Sequence, residues 1–249
     1  SIIKLTEEHN DIRPSTINHA WPFFYSLFLE EECVNTTFCS THNGLHINTN
    51  QSKGLGCITS MLHNYQQCLI CMIKAHSKVM QVRFDLHYPN DGNIVPIRKH
   101  LYDFNYNLKR KLQREVIIGG HRVDPQILWT EENNVSSAPH YHFILLVNGN
   151  AKNDYKALLR NTVNPLWKKT INSDNDGLVD YCDKNGPNGL MITRSSPDVL
   201  TQINRCSYQA SYLAKIKTKD ARGKGCWLMG GSRVPSAVVP LQLPKLDLF

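Results

Sequence analysis

The apolar positions of the chain change period several times, and each change marks an element. From residue 79 to 87 they alternate: Met80, Val82, Phe84 and Leu86 fall on one side, and Gln81, Arg83, Asp85 and His87 on the other. A period of two predicts a strand, here with a polar side free to serve as a working surface. Residues 127–132 and the run from His140 to Val147 read as two more strands, joined by a polar hairpin loop over 133–139. Residues 97–114 and 154–169 carry the period of amphipathic helices. Short strands are predicted at 179–183 and 190–194, pairing around Asn185-Gly186-Pro187. A last helix is predicted over 197–217, with Ser196 or Asp198 as N-cap. Its apolar stripe is Ile203, Cys206, Ala210, Leu213 and Ala214.

Upstream the texture differs. Residues 21–32 form an aromatic amphipathic stretch, 36–56 are polar and predict a loop, and 57–78 predict a longer helix. The expected organisation is a mostly helical N-terminal extension over 1–78, a main domain over 79–235 and an extended tail over 236–249. The order strand, helix, strand, hairpin strand, helix, short strands, helix predicts an α+β fold with helices packed on a mostly antiparallel sheet.

A hydrophobic content of 41% over 249 residues is enough for a sizeable core. The formal net charge of +7 favours a polyanionic partner. Basic residues gather on the 97–114 helix and again after the last helix begins to end, at Lys215, Lys217, Lys219, Arg222 and Lys224. Arg110, Lys111, Lys217 and Lys219 are the candidate contacts to a phosphate backbone. No run reaches the ~18 apolar residues of a membrane span, and Ser1-Ile2-Ile3-Lys4 shows no secretory signal pattern. No membrane partner is expected. The eight scattered cysteines read as reduced thiols of a cytoplasmic protein. Cys68-x-x-Cys71 lies in a helical run without a second such pair, which favours buried helix cysteines over zinc.

Two stretches carry candidate chemistry. In Pro139-His140-Tyr141-His142 the imidazoles are two residues apart on a strand, so both project from one face, a spacing suited to two ligands on one divalent ion. The hairpin brings a carboxylate beside them, Glu132 or Glu131. These two point to opposite faces, so only one can serve. In Tyr208-Gln209-Ala210-Ser211-Tyr212-Leu213-Ala214-Lys215 the tyrosines stand at i and i+4, away from the apolar stripe and beside an amine. Asp85 is a further candidate ligand, or a structural partner of Arg83. Metallohydrolases with an H-x-H-x-D-H signature are excluded, because Phe143, Ile144 and Leu145 follow the second histidine.

The histidine strand followed by a Y-x-x-x-Y-x-x-K helix resembles the HUH endonucleases that start rolling-circle replication. Arg83-Phe84-Asp85-Leu86, Trp129 to Glu132, Pro139 to His142, Cys206 to Asp220 and Gly230-Gly231-Ser232-Arg233 resemble the inovirus-type replication endonucleases, a family that shares a domain with the YagK/YfjJ proteins of cryptic prophages. The likeness covers roughly residues 79 to 235. One departure is Ser211, where some two-tyrosine enzymes have a lysine.

The resemblance implies a ferredoxin-like antiparallel sheet with packed helices. It places the acidic ligand at the end of the tryptophan-containing strand, which favours Glu132. It also implies Mg²⁺ or Mn²⁺ on Glu132, His140 and His142, with Tyr208 and Tyr212 as nucleophiles and Lys215 favouring the phenolate. The implied reaction is nicking and rejoining of single-stranded or origin DNA of a phage or satellite element. It passes through a 5′-phosphotyrosine, with host helicase and polymerase as partners. A relaxase or transposase with the same chemistry, and a non-catalytic prophage-derived DNA-binding protein, are the competing expectations.

Overall fold

A computed structural model describes residues 24–28, 35–115, 120–132, 139–184, 186, 188–215 and 227–232. The N-terminal part holds β1 (Phe24–Phe28), the short strands β2 (Thr36–Thr37), β3 (Thr41–His42), β4 (Leu45–His46) and β5 (Cys57–Ile58), and the helix α1 (Thr59–Ala75). Then come β6 (Lys78–Leu86), α2 (Arg98–Arg114), and the antiparallel pair β7 (Gln126–Glu132) and β8 (His140–Asn148). The C-terminal part holds α3 (Tyr155–Leu158), α4 (Asn164–Ile171), β9 (Val179–Asp180), β10 (Leu190–Thr193), α5 (Val199–Ala210) and β11 (Trp227–Ser232). The protein is thus α+β.

Seven strands form one open antiparallel sheet in the order β1-β11-β7-β8-β6-β10, with β9 also on β6. β8 lies at its heart and is apolar without interruption from Phe143 to Val147, as expected of a strand covered on both faces there. One face carries Met80, Val82, Phe84, Trp129, Phe143 and Leu145, covered by α2 and α4. Phe84 stacks on Phe143 at 4.9 Å, and Phe104 of α2 meets the same ring edge-on at 5.5 Å. The other face carries Val79, Leu128, Ile144 and Leu146, covered by Tyr65, Leu69 and Met72 of α1 and by Ile203, Cys206 and Ala210 of α5.

The polar side of β6 locks the covering helices in place. Buried Gln81 accepts from the Tyr65 hydroxyl at 2.8 Å and donates to the Cys206 carbonyl and to Gln209 Oε1, both at 2.9 Å. Gln209 in turn donates to Asn188 Oδ1 at 2.9 Å, which also accepts from the Arg83 backbone N–H at 3.2 Å. β6, α1 and α5 are therefore tied by one satisfied buried network, which fixes where the end of α5 sits.

Several expectations change against this frame. The strands at 179–180 and 190–193 form, but each pairs with β6 and not with the other. Asn185 and Pro187 lie outside the described residues, as do the hairpin loop over 133–138 and the tail. The expected loop over 36–56 contains short strands and a 3₁₀ turn at Gln51–Lys53. Its polar sequence hides them because they are only two residues long. Within the aromatic stretch 21–32, residues 24–28 form a strand on β11. Across the boundary expected near residue 78, α1 shares a core with β6, β7 and β8.

The predicted helix over 154–169 is present in two pieces separated by a π turn, Leu159–Val163. Pro165 near the start of α4 has no N–H to give to the preceding turn, which accounts for the loosened register. The N-cap position of α5 is Asp198; it makes no capping bond to the backbone, and its carboxylate accepts from Gln202 at 2.9 Å. Cys39, Cys68, Cys71, Cys182 and Cys206 are free thiols; in the Cys68-x-x-Cys71 pair Cys68 is buried and Cys71 half-buried.

Replacing Gln81 with alanine strands the Tyr65 hydroxyl and the Gln209 amide in the interior. The expected loss is about 1–3 kcal/mol, read as a lower urea midpoint with an unchanged slope.

Candidate metal centre

The register of three strands builds the site. Glu132 stands opposite His140, and Thr130 opposite His142, in the β7–β8 pair. On the other side of β8, Asp85 stands opposite His142. Residues directly opposite on one face have Cβ atoms about 4.5–5.5 Å apart, so Glu132, Asp85 and both imidazoles converge. Nε2 of His142 lies 2.5 Å from Glu132 Oε2, and Nε2 of His140 lies 3.4 Å from the same oxygen. One donor atom from each of Glu132, His140 and His142 lies within 4.8 Å of the other two. Ligand atoms bonded to one ion at about 2.0–2.2 Å sit some 3 Å apart, so these three could hold a metal ion after small shifts. It is the one such group among the described residues. Glu131 stands opposite Tyr141 on the far face of the sheet and takes no part.

Asp85 supports the group from behind. Its Oδ1 lies 2.8 Å from His142 Nδ1, while its Oδ2 meets Arg83 at 3.3 Å. The contact does not have the geometry of a well-formed hydrogen bond, and it is an ion pair when His142 is protonated. A carboxylate on Nδ1 leaves Nε2 as the ligating nitrogen. Thus the pairing of Asp85 with Arg83 is present, and a second role is added.

Charge and burial set the protonation. Burial works against a charged His142, but Asp85 and Glu132 outweigh it and raise its pKa above the ordinary value. Burial likewise opposes the Asp85 carboxylate, which His142 and Arg83 nevertheless hold below the usual carboxylate range. Burial and the neighbouring His142 push His140 down.

Of the two tyrosines, Tyr212 reaches this group. Its ring lies 5.2 Å from that of His142, nearly perpendicular. The Arg83 guanidinium covers it at 3.8 Å, and the Lys215 amine lies 5.3 Å from the ring centre. Burial raises the Tyr212 phenol, and Arg83 works against that rise. Burial also lowers Lys215. α5 ends at Ala210 and tightens into a 3₁₀ turn over Ser211–Ala214, which turns Tyr208 and Tyr212 further apart than a continuous α-helix would. Tyr208 is 51% exposed and makes no side-chain contact with the triad among the described residues. Buried Ser211 fixes the turn: its hydroxyl donates to the Tyr208 carbonyl at 2.7 Å and accepts from the Asn48 N–H at 2.8 Å.

Arg83 and His87 are the residues that the sequence pattern left without a part in the site. Arg83 was visible on the polar side of its strand, but its stacking on Tyr212 depends on how α5 docks. His87 continues the same polar side, and its ring stacks on His140 at 5.3 Å. A cleft of about 300 Å³ opens there, lined by His87, Tyr88, Asn90, His140, Asn175 and Gly177 among others. Lys217 and Lys219 lie outside the described residues. Arg110 and Lys111 are on α2, beyond the sheet from the triad. No described helix is long and apolar enough to cross a membrane.

Titration with Mn²⁺ by calorimetry is expected to show one site in the wild type and none in His140→Ala or His142→Ala. Asp85→Asn should weaken it about tenfold or more. The pH dependence has two opposite signs. In the metal-free protein the raised pKa of His142 gives a stability contribution that is complete below pH 6.5 and is lost as pH rises through the folded value. The metal needs the neutral ring, so the gain in melting temperature on adding Mn²⁺ should grow over that same rise. Asp85, with its lowered pKa, titrates below this window.

No curated protein and no solved structure gives a significant match to the chain. The sequence of residues 39–226, which takes in α1, the triad and both tyrosines, matches the YagK/YfjJ C-terminal domain. The chain belongs to the YagK/YfjJ C-terminal domain family.

Proposed function

We propose that this protein is an HUH-type endonuclease of the inovirus replication class, which nicks a single DNA strand at an origin and keeps the new end on a tyrosine. The observation that carries this reading is the approach of Tyr212 to the Glu132, His140 and His142 group, with 5.2 Å between the rings of Tyr212 and His142. A phenol, a three-ligand group and two cations in one place suit phosphoryl transfer to tyrosine. The antiparallel sheet with its histidine strand at the centre is compatible with the ferredoxin-like arrangement of that superfamily.

Tyr212 is the nucleophile of the first cut. An ordinary phenol with a pKa of ~10 holds little phenolate at neutral pH, and burial makes this worse. Arg83 and Lys215 oppose that by favouring the anion. The Arg83 guanidinium lies over the Tyr212 ring, where its charge would favour an anionic phosphate brought to the phenol. The Tyr212 oxygen bonds to phosphorus as the bond to the 3′ oxygen breaks. The products are a 5′-phosphotyrosine and a 3′-hydroxyl, the leaving oxygen having taken up a proton. A bound Mg²⁺ or Mn²⁺ supplies Lewis-acid polarisation of the phosphate.

The cleft beside His140 gives room for a nucleotide next to the scissile phosphate. Attack of a 3′-hydroxyl on the phosphotyrosine rejoins the strand, because the covalent link conserves the phosphodiester. Tyr208 takes the second cut during strand transfer. In a bacterial cytoplasm the freed 3′-hydroxyl primes a host polymerase behind a host helicase.

Incubation with end-labelled single-stranded oligonucleotides and Mn²⁺ is expected to give an adduct that survives denaturation. Tyr212→Phe should give none, and Arg83→Ala should slow its formation about 100-fold. An undiminished adduct in Tyr212→Phe, or none with the wild type on any origin-derived strand, would overturn the assignment.

A further inference from the structure

The solvent face of α2 is basic and aromatic. Its inner face, Leu101, Phe104, Leu108 and Leu112, is sealed into the core against Phe143 and Trp167. The outer side carries Arg98, Tyr102, Tyr106, Arg110 and Arg114, each four residues from the next, so neighbours stand one above another with a slow drift around the helix. Tyr102 and Tyr106 are 36% and 40% exposed, and the Arg110 guanidinium lies 5.9 Å over the Tyr106 ring. Six of the 17 residues are basic. The single carboxylate, Asp103, is paired with Lys99.

We infer that this face binds a second stretch of single-stranded DNA, away from the catalytic group. The charge selects a polyanion. The rings select one whose bases are unstacked, since base–aromatic stacking is the sequence-tolerant grip of single-strand binders. A four-residue step along a helix is about 6 Å, nearly twice the ~3.4 Å spacing of stacked bases. One base can therefore sit between Tyr102 and Tyr106 with guanidinium groups at both ends. α2 covers the Phe143 face of β8, whereas the histidines project from the other. A strand held here is not the one at Tyr212 but a flanking or displaced segment. The inference rests on the nickase reading only for its choice of DNA as the polymer.

The test uses the full chain with chelator present, and fluorescence anisotropy of an oligothymidylate longer than the ~16 nucleotides of one single-strand site. Tyr102→Ala with Tyr106→Ala should weaken binding tenfold or more, with circular dichroism and melting temperature unchanged. Arg110→Ala should lower the slope of log affinity against log salt by about 0.7. Independently of any variant, 5-iododeoxyuridine in the strand should photocrosslink to Tyr102 or Tyr106, located by peptide mass spectrometry. Wild-type affinity in the folded double variant, or crosslinks only on the Tyr212 side, would overturn the inference while leaving the adduct assay intact. Crosslinks at these rings in a protein that forms no adduct would instead support this surface and remove the nickase reading.

Discussion

The site exists because β8 is held in one register on both sides. Pairing Glu132 with His140 and Asp85 with His142 places two carboxylates and two imidazoles on one patch of the sheet. A slip of one residue would turn every side chain of β8 to the other face. It would put His142 among Phe84, Phe104 and Trp129, and bring Tyr141 and Phe143 to the triad side. The stacked Phe84 and Phe143 therefore do more than fill volume, since they penalise that slip.

A second constraint decides which tyrosine meets the imidazoles. The Gln81 network ties α5 to β6 and α1, and the 3₁₀ turn held by Ser211 then swings Tyr212 under Arg83. The two carboxylates of the site are buried, yet each has partners: Asp85 lies between Arg83 and His142, and Glu132 meets the imidazoles of His140 and His142. Such an array is costly to assemble and more costly to leave half made. A metal ion held by Glu132, His140 and His142 would offset part of that cost.

Much of this was legible in the chain. The two-residue period of 79–87 and 140–147 gave the faces of β6 and β8, and i, i+2 spacing alone placed both histidines together. The choice between Glu131 and Glu132 follows from the strand alternation once the β7–β8 register is known. The geometry was less legible around α5, where local tightening at Ser211 separates tyrosines that an ideal helix would stack. Arg83 was unreadable as a partner of Tyr212 because the contact joins residues on elements far apart in sequence. The strands at 179–180 and 190–193 were seen, but their neighbour was not, because β6 is long enough to take both.

The most direct test of the account is a crystal soaked in Mn²⁺ and measured for anomalous scattering. The expected result is one peak within bonding distance of Glu132, His140 and His142, on the side facing the Tyr212 phenol. A peak bonded elsewhere, or no peak at saturating Mn²⁺, would contradict it.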